Sequence, residues 1–136
     1  MDYLPVFLDV RGRTALVVGG GKVALRKAEL LVQAGALPRV VAPAILPALA
    51  ELAERHGGRC EAVPFAPEHL DGAALVIVAT GVSAVDAAVH REAGARGVPV
   101  NVADRPELCT FILPAVVDRS PVIVAFSTGG RVPVLA

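Results

Sequence analysis

The chain is short of several things that would assign it to a class at once. Its 136 residues include only two cysteines, Cys60 and Cys109, far apart and with no C-x-x-C pair. They build no disulfide framework, which points to a reducing compartment and a cytoplasmic protein. There is no excess charge of either sign: 13 Lys+Arg stand against 13 Asp+Glu, a net charge of +0. A general nucleic-acid binder carries surplus positive charge, so that class is set aside, and any anionic ligand must be met by local cations. No apolar run is long enough to cross a bilayer. The first residues, MDYLPVFLDV, lack the basic region, apolar core and cleavage site of a signal peptide. Internal repeats and low-complexity segments are missing too. His56, His69 and His90 show no metal-ligand spacing, so solvated positions are expected for them and no structural metal site. There is no G-x-S-x-G elbow, P-loop or EF-hand.

What is present is a rich supply of apolar side chains. Hydrophobic residues make up 54% and charged residues 19%, which excludes intrinsic disorder. The length suits one compact domain. Strand and helix patterns alternate. Residues 14–18 form a β-branched apolar run, a strand buried on both faces, that stops at Gly19-Gly20-Gly21. Residues 22–34 turn to helical periodicity: Val23, Ala24, Ala28, Leu30, Leu31 and Ala34 lie on one side and Arg26, Lys27, Glu29 and Gln33 mostly on the other, with Gly35 as the stop.

Further strands are expected at 39–42, 60–63, 75–79 and 98–102, and further helices at 46–56 and from Ser83, a plausible N-cap, to about Arg96. Residues 64–72 read as a loop. Parallel strands need such crossovers, so the fold class is α/β, a Rossmann-like doubly wound parallel sheet. After Asp104 the pattern changes to strands without crossover helices, at 110–113, 116–117 and 122–126. Residues 131–136 read as a helix's first turn, which is unstable alone, so a longer natural protein is expected.

Gly19-Gly20-Gly21-Lys22-Val23-Ala24 has the form G-x-G-x-x-A between a strand and a helix, the context a dinucleotide fingerprint requires. Gly19 permits the tight turn, Gly21 lets a pyrophosphate approach the backbone, and Ala24 allows close helix packing. The free N–H groups at Lys22 and Val23 and the helix dipole hold the phosphates, and the Lys22 cation stands near them. No Asp or Glu follows the second strand to take ribose hydroxyls; the segment reads Ala42-Pro43-Ala44, so backbone groups at Pro43 and Ala44 are the candidates. Arg39 opens that strand and is badly placed for a 2′-phosphate, which keeps NAD ahead of NADP. Thr80, past the fourth strand, lies at the same edge of the sheet.

Asp104 ends the fifth strand, where ligands sit in such sheets, and is read either as a general base or as a turn residue. Ser127-Thr128-Gly129-Gly130-Arg131 is a second small-residue loop, read either as a carboxylate site through Ser127, Thr128 and Arg131 or as an ordinary turn.

Taken together, Tyr3 to Arg13, Val17 to Ala28, Asn101-Val102-Ala103-Asp104, Phe111-Ile112-Leu113-Pro114-Ala115, Asp118-Arg119-Ser120-Pro121 and Ser127-Thr128-Gly129-Gly130 resemble the sirohaem synthase N-terminal family over essentially the whole chain. That family comprises precorrin-2 dehydrogenases, some of them also sirohydrochlorin ferrochelatases. The resemblance implies oxidation of precorrin-2, a tetrapyrrole with eight carboxylates, to sirohydrochlorin with NAD as hydride acceptor. It puts the family's acid/base aspartate on Asp104, which in bifunctional members also serves when Fe²⁺ replaces two pyrrole protons. Arg105, Arg119 and Arg131 are candidates, on charge alone, for pairing with substrate carboxylates; a surface role for each is the alternative. The resemblance further implies an NAD-binding domain over residues 1–113 and, over 114–136, the start of a dimerisation region of a homodimer, with the family's C-terminal helical domain absent. Val132 stands where the family commonly has Ser. The rival reading is a non-catalytic dinucleotide sensor on the same fold.

Overall fold

The computed structural model describes residues 1–129. Five parallel strands form the central sheet: β1 (Thr14–Val18), β2 (Leu37–Val41), β3 (Arg59–Glu61), β4 (Leu75–Val78) and β5 (Val100–Val102). Their order is β3-β2-β1-β4-β5, so the chain winds outward from β1 in one direction and then in the other. Helix α1 (Lys22–Gln33) links β1 to β2, α2 (Pro47–Arg55) links β2 to β3, and α3 (Ser83–Arg96) links β4 to β5. The point where the order reverses lies between β1 and β4, whose carboxyl ends therefore open the crevice used by ligands in such sheets.

Alternation within the strands makes two cores. Ala15, Val17, Val40 and Ile77 face α1 and α2, meeting Ala24, Ala28, Leu31, Leu49 and Ala53. Leu16, Val18, Val41, Val76 and Val78 face the other way, onto Val89 and Ala93 of α3 and Leu70. Every residue of β4 is buried. This is why the central strands carry unbroken apolar runs and not the polar alternation of a one-sided sheet. The small residues Ala24 and Ala28 let α1 sit close to β1, as the third position of the fingerprint requires.

Several boundaries differ from those read off the sequence. The second strand begins at Leu37, so Arg39 sits in its middle and not at its opening. The third ends at Glu61 and the fifth begins at Val100. The loop after β3 contains a 3-10 turn, Pro67–Leu70. Ser83 is the first residue of α3 and not its cap; Val82 holds the cap position and no side chain caps it. The stretch 110–113 is not a strand. It lies along β5 through Thr110, whose amide donates to the Val100 carbonyl at 2.8 Å, while the Thr110 hydroxyl oxygen accepts the Val100 amide at 2.9 Å. A hydroxyl has taken the place of a ladder partner.

Two of the three histidines are not solvated. His69 is buried: its Nδ1 accepts the Ala66 amide at 2.9 Å, leaving Nε2 as the donor to Glu61 at 3.2 Å. His90 Nδ1 donates to the Leu108 carbonyl at 2.8 Å. The sequence puts His69 in a loop and His90 on a helix, both expected in solvent, but both rings satisfy backbone groups of turns packed against the sheet.

Beyond the sheet, β6 (Ala115–Arg119) and β7 (Val122–Phe126) pair antiparallel as a separate ribbon. Val116, Val122, Ile123, Val124 and Phe126 are all exposed. The expected helical turn at 131–136 lies outside the described residues. Among the described residues, no helix is long and apolar enough to cross a membrane.

Candidate active site

Strand β1 delivers its chain directly into the glycine loop. Gly19 has φ 138 and its amide donates to the Val41 carbonyl at 3.0 Å. A Cβ there would stand 2.3 Å from the Ala79 carbonyl oxygen, so β1 and β4 leave no room for a side chain. Gly20 is as constrained: a Cβ would meet the Ala44 carbonyl oxygen at 1.9 Å. Its own carbonyl accepts the Leu46 amide at 2.9 Å, which ties the glycine loop to the β2–α2 connection. Sequence reasoning gave Gly20 no role, because the close approach is to a segment more than twenty residues away.

Gly21 differs from both. A Cβ on it would meet nothing within 4 Å. Gly21 is also the N-cap of α1, with no side-chain cap bond and no acidic residue in the first turn. The amides of that turn are thus left to an external acceptor, and the positive end of the dipole favours an anion. Open space on one side of the loop and uncapped N–H groups fit a diphosphate bridge. Lys22 and Val23 are exposed at this opening. Pro43 and Ala44 are exposed beside it, just past β2.

Thr80 stands at the carboxyl end of β4, as expected, and it has a partner the sequence did not reveal. Its hydroxyl donates to the Asp86 carboxylate at 2.5 Å and accepts the Val82 amide at 3.0 Å. Asp86 is 4% exposed, one turn into α3. The buried carboxylate therefore fixes the Thr80-Gly81-Val82 loop that borders the crevice.

Asp104 follows β5 with φ 62, a positive value at a residue other than glycine. This backbone state costs most residues about 1–2 kcal/mol and is borne best by Gly, Asn and Asp. Cys109 holds the turn. Its sulfur accepts the Val102 amide at 3.1 Å and lies 3.3 and 3.4 Å from the Val102 and Arg105 carbonyls. Burial pushes the Cys109 thiol above its ordinary value, so it stays protonated and able to donate. On the neighbouring strand position, the Asn101 side chain donates to the Phe111 carbonyl at 3.1 Å, drawing residues 111–113 over the sheet edge.

These pieces enclose a cleft of about 390 Å³. One wall is the face of α1 formed by Val23, Arg26 and Lys27; the other carries Asn101, Asp104, Arg105, Cys109, Ile112 and Leu113. The expected base, Asp104, and the expected cation, Arg105, are therefore brought together with the start of the dinucleotide helix. Arg105 is bound to Glu107 at 2.5 Å, which raises its affinity for its proton and neutralises its charge locally. Arg119 lies on the exposed ribbon and not in the cleft. Ser127 and Thr128 follow β7, and the Ser127 hydroxyl accepts the Gly129 amide at 3.0 Å; neither lines the cleft. Arg131 lies outside the described residues.

Arg39, in the middle of β2, is engaged by its own neighbours. It donates to Glu61 at 2.9 Å and approaches the His69 carbonyl at 3.4 Å, with its buried Nε unpartnered. Both cysteines are free thiols. Among the described residues no three His, Cys, Asp or Glu side chains gather closely enough to hold a metal ion.

A family model described as "Putative NAD(P)-binding" matches residues 6–115. A siroheme synthase of Azotobacter vinelandii is 56% identical over 136 residues, 100% of this chain and 29% of that protein. One from Methylobacillus flagellatus is 54% identical over the same 136 residues, again 29% of its length. The chain thus spans under a third of these relatives. Among solved structures, SirC, a precorrin-2 dehydrogenase, superposes with a TM-score of 0.80 at 31% identity, covering 98% of this chain and 65% of its own. GenD2 from gentamicin A biosynthesis, in complex with NAD, gives a TM-score of 0.52 at 28% identity, covering 74% of this chain and 29% of its own.

Proposed function

The chain belongs to the NAD(P)-binding family, and on that premise we propose that it is a precorrin-2 dehydrogenase, oxidising precorrin-2 to sirohydrochlorin. One observation carries the reading: the helix that opens at the glycine loop and the strained Asp104 turn face each other across one cleft. Resemblance to siroheme synthases over the whole chain and to SirC in fold supports the choice of substrate.

NAD⁺, when bound, supplies the hydride acceptor. The chain's residues do the rest. Lys22 and Val23 amides and the space beside Gly21 receive the diphosphate. Pro43 and Ala44 would offer backbone groups to the ribose, and Thr80, fixed by Asp86, would line the cofactor cleft. The Asp104 carboxylate takes the proton that leaves as the macrocycle is oxidised. No cation follows β2, and Arg39 is occupied by Glu61, which favours NAD over NADP. If Fe²⁺ is then inserted as substrate, the same carboxylate would take the two pyrrole protons one after the other, passing each to solvent.

Two further assignments belong to this reading. Residues 1–113 form the dinucleotide domain, and 114–136 begin a region that pairs two copies into a homodimer. An isolated two-stranded ribbon is marginal in water, and exposed Val122, Ile123 and Phe126 call for a cover. Free Cys60 and Cys109 support a reducing, cytoplasmic setting.

The test is anaerobic incubation with precorrin-2 and NAD⁺, following the absorbance of the oxidised macrocycle. Growth of that absorbance is expected. NAD binding without turnover would favour the sensor reading instead.

A further inference from the structure

The helix that opens the dinucleotide site also presents charges that this site does not use. Val23, Arg26 and Lys27 are spaced i, i+3, i+4, so they share one face of α1. Periodicity assigns Arg26 and Lys27 to the solvent side of an amphipathic helix. In the structure that side is the wall of the cleft, opposite Asp104.

Their charges are uncompensated. The ion pairs of Arg11, Arg39, Arg55, Arg59, Arg96 and Arg105 account for much of the positive charge. Among the described residues, neither the Arg26 guanidinium nor the Lys27 ammonium has an acidic partner or a side-chain hydrogen bond. Arg105, across the cleft, is held by Glu107 and is the less available cation. A chain with a net charge of +0 therefore keeps two free cations on one concave wall, Arg26 exposed and Lys27 half-buried, where the concave shape adds their fields.

They also lie past the phosphate cradle. Arg26 and Lys27 are the fifth and sixth residues of the helix Lys22–Gln33, about 6 Å along its axis from the first at 1.5 Å per residue. The uncapped amides that receive a diphosphate belong to the first turn. The backbone positions of Arg26 and Lys27 thus leave their charges open to a second anion beside the diphosphate.

We propose that Arg26 and Lys27 are the specificity-determining cations of the cleft, binding peripheral carboxylates of the tetrapyrrole so that its reacting edge faces Asp104. The proposal deepens the functional reading above and rests on it. Arg26 takes a carboxylate through its planar fork, and Lys27 places a compact charge beside the apolar Val23, Ile112 and Leu113, which receive the macrocycle's body.

The experiment uses the full chain with Arg26→Gln, Lys27→Gln and the double variant. Melting temperatures should match the parent, since neither side chain is in the core. KM for precorrin-2 should rise about tenfold per single substitution, the effect of losing one charge-assisted contact, with kcat within about twofold. The dissociation constant for NAD should not move, and Lys27→Arg should restore the parent KM. A second arm titrates uroporphyrin, a stable octacarboxylate, by fluorescence quenching. The parent should bind it and the double variant should lose it. If precorrin-2 is not turned over but uroporphyrin binding follows the two cations, the substrate assignment fails while the anion wall stands. If precorrin-2 is turned over and the double variant keeps its KM, the wall is overturned and the function stands. A loss of NAD affinity equal to the rise in KM would also overturn it, because the cations would then serve the dinucleotide phosphates.

Discussion

The sulfur of Cys109 lies 3.1 Å from the amide nitrogen of Val102, and this contact closes the turn on which Asp104 is carried. The same sulfur reaches back to the carbonyls of Val102 and Arg105, so one small side chain spans both ends of the turn. Asp104 pays for its φ of 62 through these contacts. Cys109→Ala should lower kcat for precorrin-2 oxidation about tenfold by letting the carboxylate wander, with NAD affinity unchanged. Cys109→Ser should recover part of that loss, because a hydroxyl supplies the same donor and acceptor at shorter reach. Steady-state kinetics beside an NAD titration separates this from general damage; equal losses in both would mean that Cys109 only supports the fold.

Asp104 itself allows chemistry and backbone to be told apart. Asparagine tolerates the left-handed region as aspartate does, so Asp104→Asn should keep the melting temperature. Turnover should fall by about a hundredfold or more, the typical contribution of a positioned base. Asp104→Ala should lose activity and also about 1 kcal/mol of stability, measured by urea unfolding. An unaltered rate in the asparagine variant would remove Asp104 as the base.

The three successive glycines should behave differently although they look alike. Gly20→Ala places a methyl 1.9 Å from the Ala44 carbonyl oxygen and Gly19→Ala one 2.3 Å from that of Ala79. Both should lower the melting temperature, as overpacking costs about 1–3 kcal/mol or more. At Gly21, where a Cβ meets nothing, Gly21→Val should fold normally and fail to bind NAD in a calorimetric titration. Its fold is indifferent to the side chain, but the diphosphate is not. From the sequence, all three read as one fingerprint; only the approach of distant carbonyls distinguishes the two that build the loop from the one that leaves it open.

Glu61 gives a pH dependence with a definite sign. A hydrogen bond from Arg39, assisted by His69, holds its carboxyl below the ordinary value of 4.5. The charged form is thus favoured by the fold. Its contribution is present above pH 4.5 and is lost as pH falls through the lowered value. Glu61→Gln should therefore lose less stability than the parent between pH 7 and pH 3, compared by urea unfolding. An identical loss in both proteins would show that the Arg39–Glu61–His69 group does not govern acid stability.

What the sequence determined by itself is the part written in short-range terms. The runs at β1 and β4, the periodicity of α1 and the G-x-G-x-x-A between strand and helix fixed a doubly wound sheet with a dinucleotide loop, since such patterns depend on neighbours a few residues away. The sirohaem synthase resemblance, read from blocks spread along the chain, agrees with the relatives it matches. Asp104 was visible as the residue at the end of the fifth strand. Tertiary structure alone decided what crosses the chain: Thr110 substituting for a strand, Cys109 closing the Asp104 turn, Asp86 holding Thr80, His69 buried against Glu61. It also turned the charged face of α1 from a surface into a wall of the cleft. A helical wheel can say that Arg26 and Lys27 avoid the core, but which space they face depends on where residues 101–113 are laid down, and that is settled by packing between segments remote in sequence.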